Sequence, residues 1–355
     1  MRVRKAPARM IPNERAAALP APFPRPRGII AAAVICQEQD SVPGARPVPE
    51  EEVSPLRIVR YTTAGQPGAA VGVELEDGVR PLDVPSAGAL LGLPLAEIRA
   101  AAEAAAAAPA VAPGFRLLPP ADGRTEVWAA GVTYSRSRQA RVEESSTADV
   151  YDLVYESGRP ELFFKSAAWR VVTDGEPIGI RADSALNVPE PELALVANRH
   201  AEIVGYAVCN DVSSRSIEGE NPLYLPQAKI YAGACALSNG IRPAWEVPDA
   251  GALGVELTID RAGAVAWQGS TTTAGLRRSP EELTAFLFRA EQFPDGAVLS
   301  TGTGIVPEMD FTLRDGDRVT VAIADVGTVT NVVVTGLASF GWLASESPWL
   351  RRPAP

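Results

Sequence analysis

The sequence predicts an α+β fold, in which a mixed or antiparallel β-rich core follows a small N-terminal α/β subdomain. The chain has 355 residues, enough to bury one large core and to add a smaller one. Short segments rich in β-branched residues recur between residues 126 and 349, with Gly and Asp-Gly turns between them. An Ala-rich stretch with high helical propensity follows short strands within residues 56–120. Strands spaced in this way favour a core built mainly from sheet.

The small subdomain is predicted to occupy residues 56–120. The segments LRIVRYTT and GAAVGVEL, which begin at Leu56 and Gly68, are typical of strands. The Asp77-Gly78 pair is a common hairpin signal, and a third short strand follows it. The stretch 95–108 is almost entirely Ala with Glu and Arg, which predicts a helix.

The larger domain is predicted to span residues 126–349. Its expected strands are EVWAAGVTY, the stretch from Glu192 to Ala197, EIVGYAVCN, GVELTID, DRVTVAIAD and TVTNVVVTG. One helix start is clearly marked, because Ser279 is a suitable N-cap, Pro280 suits the first helical position and Glu282 completes a capping box. The apolar run LTAFLFRA then continues this helix.

Residues 1–55 differ in composition from the rest of the chain. The first thirty residues carry six Arg and one Lys against a single acidic residue, Glu14, and Pro and Ala interrupt the segment repeatedly. This composition predicts a disordered leader rather than a packed fold. The run from Gly28 to Cys36 also resembles a signal-peptide core, but the basic region before it is long and no small-residue cleavage site follows promptly. A disordered leader, or a start codon assigned too far upstream, is the interpretation we favour.

Composition and charge argue against several classes of function. The formal net charge of −10 disfavours a nucleic-acid partner, because little of the surface offsets phosphate repulsion. No apolar run approaches the roughly 20 residues of a membrane-spanning helix, so no membrane partner is expected. The three cysteines, Cys36, Cys209 and Cys235, form no CxxC pair or Cys/His cluster, which favours a reducing cytoplasmic setting. With one histidine, His200, any chemistry must depend mainly on carboxylates, lysine, arginine and hydroxyl groups.

The most informative pattern is a group of carboxylates in and near the segment VPEPELALV. Glu190 and Glu192 are two residues apart, so on an extended segment both side chains project from the same face. Two such carboxylates repel each other unless a cation lies between them. Asp211 ends the strand IVGYAVCND, which we expect to pair with the Glu-bearing strand and to supply a third carboxylate. Hard oxygen ligands select Mg2+, Mn2+ or Ca2+ over zinc. The alternative is a solvated polar strand face.

Lys229 is a second candidate for chemistry. It follows a loop rich in Ser, Glu, Asn and Pro, and it precedes the apolar pair Ile230-Tyr231. A lysine that lies near a metal and an apolar wall can act as a base or form a Schiff base, because such surroundings can lower the pKa of an amine. The alternative is a surface lysine whose stem packs while its ammonium group stays solvated.

The order of several motifs resembles that of the fumarylacetoacetate hydrolase superfamily, over roughly residues 126–340. These motifs are GVTY from Gly131, PELFFK from Pro160, VPEPELALV from Val188, GYAVCNDVSSR from Gly205, LPQAK from Leu225 and TGTGIVP from Thr301. Within the superfamily, the stretch ENPLYLPQAKIY and the short gap between Glu192 and Asp211 are most similar to the 2-keto-3-deoxy-D-arabinonate dehydratase-like members. The C–C bond hydrolases of the superfamily typically have a longer insertion in that gap.

The resemblance implies a fold and a set of functional residues. The implied fold is a mixed β-roll or β-sandwich-like core, with residues 56–120 in the place of the family's N-terminal subdomain. The implied cofactor is Mg2+, the implied substrate is a small-molecule 2-oxo acid, and the implied assembly is a homodimer or homotetramer. The implied metal ligands are Glu190, Glu192 and Asp211, and the implied catalytic groups are Lys229 and Glu161.

One absence favours elimination over hydrolysis. Hydrolases of this superfamily often carry a water-activating histidine shortly after the tyrosine that corresponds to Tyr134, whereas here Ser135, Arg136, Ser137 and Arg138 follow it. His200 is expected to lie on a turn at the surface. We therefore expect a Mg2+-dependent lyase that dehydrates a 2-keto-3-deoxy sugar acid to a dioxo acid through a metal-stabilised enolate. The alternatives are a hydrolase or decarboxylase acting on an acylpyruvate or another β-diketo acid, and a degenerate member that only binds a ligand.

Four more side chains are candidates for binding the substrate. In the expected reaction Lys229 takes a C3 proton and Glu161 protonates the departing C4 hydroxyl. An arginine can hold the substrate carboxylate through two hydrogen bonds, and hydroxyl groups can donate to the substrate as well. The candidates are Arg136, Ser137, Arg215 and Thr303. Ser216 stands where an acidic residue is expected in the sugar-acid dehydratases, so recognition of the sugar hydroxyls is expected to differ.

Overall fold

The computed structural model describes residues 56–63, 68–111, 114–144 and 153–345. The predicted leader at residues 1–55 and the predicted end of the larger domain at residue 349 lie outside these described residues. None of the helices within the described ranges is long and apolar enough to cross a membrane.

An antiparallel sheet of four strands begins the described chain. Its strands are β1 (Arg57–Thr63), β2 (Ala70–Leu75), β3 (Gly78–Pro81) and β4 (Phe115–Leu118), and they lie in the order β3-β2-β1-β4. Strands β2 and β3 form the hairpin that the Asp77-Gly78 pair predicts, with Leu75 paired to Gly78. Gly78 has a φ of 131°, a backbone conformation that glycine adopts without strain.

Two helices pack beside this sheet, α1 (Ala87–Leu91) and α2 (Leu95–Ala106). Helix α2 confirms the helix predicted over 95–108, although it ends at Ala106. Its buried residues, Ile98, Ala102 and Ala105, recur at helical spacing and so form one apolar face. This face belongs to a core that also contains residues of β2 and of the central sheet described next.

The central sheet holds seven strands with mixed pairing. They are β5 (Glu126–Gly131), β6 (Glu161–Ala167), β9 (Pro191–Ala197), β10 (Ile203–Asp211), β12 (Cys235–Leu237), β13 (Arg242–Pro243) and β16 (Ala297–Ser300). The order is β12-β10-β9-β16-β5-β6, and β13 also pairs with β10. The β16–β5 pair is parallel and the other pairs of this sheet are antiparallel, so the sheet is mixed, as predicted.

Strand β9 lies in the middle of this sheet and is buried on both faces. Leu193 and Leu195 contribute to one core, whereas Ala194 and Val196 contribute to the other. This arrangement explains the nearly continuous apolar run ELALVA, because a strand covered on both faces has no solvent side. The side chain of Glu192 is therefore carried into the interior by the alternation of the strand.

A second sheet of five strands covers one face of the central sheet. Its strands are β7 (Ile178–Ile180), β14 (Gly254–Arg261), β15 (Ala264–Thr272), β17 (Arg318–Ile323) and β18 (Gly327–Thr335), in the order β15-β14-β17-β18-β7. Leu257 and Val321 of this sheet share a core with Leu195 and Val208 of the central sheet. Two packed sheets with mixed pairing confirm the predicted α+β class with a sandwich-like core.

The remaining elements are short. They are the two-stranded pair β8 (Asn187–Val188) with β11 (Ser213–Ser214), and the helices α3 (Ser135–Glu144), α4 (Arg215–Glu220), α5 (Leu225–Lys229) and α6 (Pro280–Leu287). Helix α6 begins as predicted, since the Ser279 hydroxyl accepts a hydrogen bond from the Glu282 amide at 3.2 Å. Helix α4 follows β11 directly, and α5 follows α4 after a short 3-10 helix. Lys229 at the end of α5 contacts Asp211 at the end of β10.

The turn before β16 gives a test of the fold. Gly296 has a φ of 68°, and a Cβ atom there would lie 2.6 Å from the carbonyl oxygen of Ala197. Gly263, in the β14–β15 hairpin, has a similar φ of 82° but no heavy atom within 4 Å of such a Cβ. We expect Gly296→Ala to lower the free energy of unfolding by about 2–5 kcal/mol, because it adds a clash to the strain of the left-handed backbone.

Gly263→Ala is the matched control and is expected to cost about 1–2 kcal/mol, because it introduces the backbone strain alone. Urea unfolding followed by circular dichroism measures both variants. Equal costs for the two substitutions would contradict the close approach of β9 to this turn.

Candidate active site and metal centre

Three carboxylates meet at one end of the central sheet, at Glu190, Glu192 and Asp211. Strands β9 and β10 pair antiparallel with Glu192 opposite Cys209, and this register brings Asp211 to the same end as the two glutamates. One oxygen atom of each carboxylate lies within 4.8 Å of the others. All three residues are at most 3% exposed. The predicted trio is therefore brought together in the interior, and the alternative of a solvated strand face does not describe it.

The backbone around these carboxylates is held by hydrogen bonds. The Asp211 amide donates to the Glu190 carbonyl at 2.9 Å, and the Glu190 amide donates to Oδ1 of Asn210 at 3.1 Å. Oε2 of Glu192 accepts from the Ser300 hydroxyl at 2.5 Å and from the Gly302 amide at 2.8 Å. Ligand groups with this support are preorganised for a cation.

The electrostatics of the trio also favour a cation. Burial raises the pKa of Glu192 well above its usual value, and the negative charges of Asp211 and Glu190 raise it further. Burial and the charge of Glu192 also raise the pKa of the Tyr134 phenol. The donor set consists of hard carboxylate oxygens, which are the ligands that Mg2+ prefers. The residues present therefore fit a Mg2+ ion.

Lys229 lies among these carboxylates. Its Nζ donates to Oε2 of Glu190 at 2.6 Å, to Oδ2 of Asp211 at 3.1 Å and to the Ser213 hydroxyl at 2.6 Å. It also lies 5.7 Å from the centre of the Phe163 ring. Lys229 is 2% exposed, so the alternative of a solvated surface lysine does not describe it. Its hydrogen-bond partners are two carboxylates and one hydroxyl group, which the neighbouring Ile230-Tyr231 pair did not indicate.

Glu161 approaches the site from the neighbouring strand β6. It pairs with Gly131 of β5, and a Cβ atom at position 131 would lie 2.1 Å from Oε2 of Glu161. A glycine at position 131 is therefore required for the Glu161 carboxylate to lie across β5. Glu161 and Lys229 both line the same pocket.

The pocket brings together most of the predicted residues. Besides the three carboxylates, its wall includes Ser137, Glu161, Phe163, Glu218, Leu225, Lys229 and Thr303. Among the predicted substrate-binding residues, Ser137 and Thr303 thus lie at the pocket. The Ser137 hydroxyl donates to the Tyr134 carbonyl at 2.9 Å, and the Thr303 hydroxyl donates to the Ile305 carbonyl at 3.1 Å. Both hydroxyl groups therefore also support the backbone of their own loops.

The two predicted arginines lie differently. Arg215 is 2% exposed, and its guanidinium group donates to Oε1 of Glu190 at 3.2 Å, so it contacts a carboxylate of the trio. Arg136 is half-buried on α3, and it does not belong to the pocket wall formed by the described residues. The structure thus places one of the two arginines against the carboxylates and the other outside the pocket.

Ser216 and His200, which were singled out in the sequence, lie away from the pocket wall. The Ser216 hydroxyl lies 2.8 Å from the Ser184 hydroxyl, which also accepts from the Ser214 hydroxyl at 2.7 Å. His200 is exposed on a turn after β9, and its amide donates to the Asn198 side chain at 3.0 Å. His200 therefore lies where the sequence predicts, on the surface.

Two charged residues of the site escaped the sequence analysis. Glu218 lies on α4, is 5% exposed and lines the pocket. Its signal in the sequence was the spacing of three residues from Arg215 on a helix, which puts the two side chains on one face. Lys165 lies behind the trio and contacts Asp211. It is part of the PELFFK motif, but nothing in its local sequence distinguishes it from a surface lysine.

Comparison with known proteins extends these observations. The 2-dehydro-3-deoxy-D-arabinonate dehydratase of Saccharolobus solfataricus is 43% identical over 212 residues, which are 59% of this chain and 71% of that protein. A probable 2-keto-3-deoxyxylonate dehydratase of Haloferax volcanii is 50% identical over 210 residues, which are 59% of this chain and 72% of that protein.

A solved structure is similar as well. A 2-keto-3-deoxy-D-arabinonate dehydratase complexed with magnesium and 2,5-dioxopentanoate superposes with a TM-score of 0.65 at 33% identity, over 79% of this chain and 99% of that one. The model of the family described as Fumarylacetoacetate (FAA) hydrolase C-terminal matches residues 127–334, which include the carboxylate trio, Lys229 and Glu161. The chain belongs to the fumarylacetoacetate hydrolase family.

Proposed function

We propose that this protein is a Mg2+-dependent dehydratase that converts a 2-keto-3-deoxy sugar acid to a dioxo acid. The observation that carries the proposal is the buried trio of carboxylates, which opens into the same pocket as Lys229 and Glu161. The similar proteins are themselves dehydratases of 2-keto-3-deoxy sugar acids, and one of them was solved with magnesium and 2,5-dioxopentanoate.

Different side chains have different roles in the proposed reaction. A bound Mg2+ supplies a Lewis acid that favours loss of a proton next to a carbonyl group. The amine of Lys229 takes the C3 proton, and the carboxylic acid of Glu161 gives a proton to the C4 hydroxyl. The C3–H and C4–O bonds break and one water leaves, which gives a C3=C4 double bond conjugated with the C2 carbonyl. A proton then moves from C5 to C3, and the resulting C4=C5 enol becomes the C5 aldehyde of the dioxo acid. Phe163 and Leu225 supply the apolar part of the pocket wall, which limits the access of water to these groups.

Elimination agrees better with this pocket than hydrolysis does. No histidine follows Tyr134 to activate a water molecule, because the one histidine of the chain, His200, lies exposed after β9. Ser137 and Thr303 line the pocket and are proposed to bind substrate hydroxyl or carboxylate groups, and Arg215 is proposed to act through Glu190. Arg136, on α3, stays a proposed substrate-binding residue, although it lies outside the pocket wall formed by the described residues.

Several finer properties are part of the same proposal. Mn2+ and Ca2+ also prefer carboxylate oxygens, so either ion is proposed to replace Mg2+ in the site. A homodimer or homotetramer, a cytoplasmic location, and a division of the chain into residues 1–55, 56–120 and 126–349 stay predictions.

A substrate panel tests the reaction. The purified protein with Mg2+ is expected to dehydrate a 2-keto-3-deoxypentonate, and EDTA is expected to abolish turnover until Mg2+ is restored. Product formation is followed by mass spectrometry, with an acylpyruvate assayed in parallel. Cleavage of the acylpyruvate without turnover of the pentonate would favour the hydrolase alternative and overturn the proposal.

Glu192→Gln tests the metal site. We expect Mg2+-dependent turnover to fall by at least about 100-fold, because one carboxylate ligand is lost. The metal-free variant is expected to melt at a higher temperature than the wild type. The pKa of Glu192 is raised in the folded state, so its negative charge at neutral pH opposes folding, and an amide removes that cost.

Glu97→Gln, on the exposed side of α2, is the matched control and is expected to leave both quantities unchanged. Turnover is measured at saturating Mg2+, and melting is followed by circular dichroism. A Glu192→Gln variant that keeps Mg2+-dependent turnover would remove this carboxylate from the metal site.

Proton exchange separates the roles of Lys229 and Glu161. In D2O, Lys229→Met is expected to lose both deuterium exchange at C3 and dehydration, by about 100-fold or more. Glu161→Gln is expected to keep the C3 exchange while dehydration falls by a similar factor, because only the acid for the leaving hydroxyl is lost. Proton NMR of the substrate measures both rates in one sample. Wild-type exchange in Lys229→Met would show that another group is the base.

A further inference from the structure

Lysine is rare in this protein. The chain contains three lysines, Lys5, Lys165 and Lys229, against 30 arginines. Two of the three lie in the candidate active site. A lysine ammonium is a compact charge with three donors, whereas a guanidinium group is a wide planar fork, so the two are not interchangeable in a tight interior. Lys229 has a role in the proposed reaction, whereas Lys165 has none.

Lys165 lies at an irregularity in the pairing of β6 with β5. In the pairing of β6 with β5, Ser166 lies opposite Val127 and Phe164 lies opposite Trp128, so Lys165 is the extra residue of a β-bulge. A bulge leaves its extra residue unpaired in the ladder. Here the ring of Phe164 packs edge-on against Trp128. Strand alternation places Lys165 on the same face as Glu161 and Phe163, which line the pocket, and the bulge leaves Lys165 out of the pairing with β5.

The ammonium group of Lys165 is held by three acceptors. It forms an ion pair with Oδ1 of Asp211, and it donates to the carbonyl oxygens of Lys229 at 2.6 Å and Val212 at 3.1 Å. Three acceptors match the three donors of an ammonium group. Lys165 is 1% exposed, so this arrangement is closed to solvent.

These contacts join two parts of the site that are separate in the sequence. Asp211 is the last residue of strand β10 and Val212 follows it, whereas the carbonyl of Lys229 is the last one of helix α5. The other oxygen of Asp211, Oδ2, accepts from Nζ of Lys229 at 3.1 Å. The carboxylate of Asp211 is therefore fixed at one oxygen by Lys165 and contacted at the other by Lys229.

We propose that Lys165 is a positioning residue, which sets the orientation of the Asp211 carboxylate and the distance between β10 and the end of α5 that carries Lys229. The inference rests on the proposed metal-dependent function and deepens it. Lys165 does not line the pocket formed by the described residues, so its effect on the reaction passes through Asp211 and Lys229.

A purely electrostatic role would have the opposite consequence for metal binding. A cation beside Asp211 repels Mg2+, so if Lys165 contributed only its charge, its removal would strengthen Mg2+ binding. If Lys165 orients Asp211, its removal weakens Mg2+ binding, since loss of a group that supports a metal ligand typically costs about 10–100-fold in affinity or activity. The sign of the change distinguishes the two roles.

The test uses Lys165→Met, in which an unbranched apolar side chain replaces the lysine. We expect the Mg2+ dissociation constant, measured by titration calorimetry without substrate, to rise about tenfold or more. We also expect kcat for the proposed dehydration to fall about tenfold or more, while KM at saturating Mg2+ changes less. The calorimetry needs no substrate, so it remains decisive if the proposed reaction is wrong.

Two further variants complete the test. Ser166→Ala is the matched control, because Ser166 is the next buried residue of β6 and its hydroxyl donates only to the neighbouring Ala167 carbonyl at 3.0 Å. It is expected to keep wild-type Mg2+ affinity and kcat. Lys165→Arg keeps the charge but not the geometry, and it is expected to show the same weakened Mg2+ binding as Lys165→Met. If Lys165→Met does not fold, the Mg2+ affinity of Lys165→Arg still distinguishes a positioning role from a role through charge alone.

Three results would overturn the proposal. They are tighter or unchanged Mg2+ binding in Lys165→Met, wild-type Mg2+ affinity and kcat in Lys165→Arg, and equal losses in Ser166→Ala and Lys165→Met. Tighter Mg2+ binding in Lys165→Met, or wild-type behaviour of Lys165→Arg, would assign Lys165 a role through charge alone, whereas unchanged binding in Lys165→Met would mean that Lys165 does not position Asp211. The third would mean that any change in this part of β6 disturbs the site.

Discussion

The attraction between three buried carboxylates and two buried lysines is the interaction on which the site depends. Glu190, Glu192 and Asp211 repel each other at close range in an environment that excludes water, and a buried carboxylate without partners is strongly unfavourable. Lys229 and Lys165 offset this repulsion from opposite sides of Asp211. The chain must therefore bring β6, β10 and α5 to one point, and these segments are far apart in the sequence.

The backbone departs from regular strand geometry at several points around the site. Strand β6 contains a bulge at Lys165, and its partner β5 has a glycine at position 131, where any side chain would collide with Glu161. Gly302 has a φ of 90°, and its amide approaches Glu192 to 2.8 Å. Each departure from regular geometry lies beside a charged side chain of the site. Such departures persist where the surrounding packing holds them, as the two cores around β9 do here.

The sequence predicted those parts of the site that depend on local periodicity. The alternation of an extended segment is enough to place Glu190 and Glu192 together, and the end of the next strand is enough to add Asp211. The strands and helices with clear periodicity or caps, such as β10 and α2, were predicted for the same reason, with errors of a few residues at their ends. Strands β6 and β15 were not among the predicted strands, and helices α4 and α5 lie in a segment that the sequence suggested to be a loop. The hydrogen-bond partners of Lys229 were not predicted from its neighbours in sequence, because Glu190 precedes β9 and Asp211 ends β10. Lys165 was not identified, because its acceptors, Asp211, Val212 and Lys229, are distant in the sequence and nothing within PELFFK indicates them.

The position of Ser216 shows how tertiary structure changes the meaning of a substitution. In the sequence, a serine in place of an expected acid suggested altered recognition of the sugar hydroxyls. In the structure, the Ser216 hydroxyl belongs to a chain of hydroxyl groups with Ser184 and Ser214, and it does not form part of the pocket wall described here. Glu218, on the same helix, supplies a carboxylate to that wall. An acid thus remains in the pocket beside the trio, so the departure at Ser216 does not by itself argue against a polyhydroxy substrate.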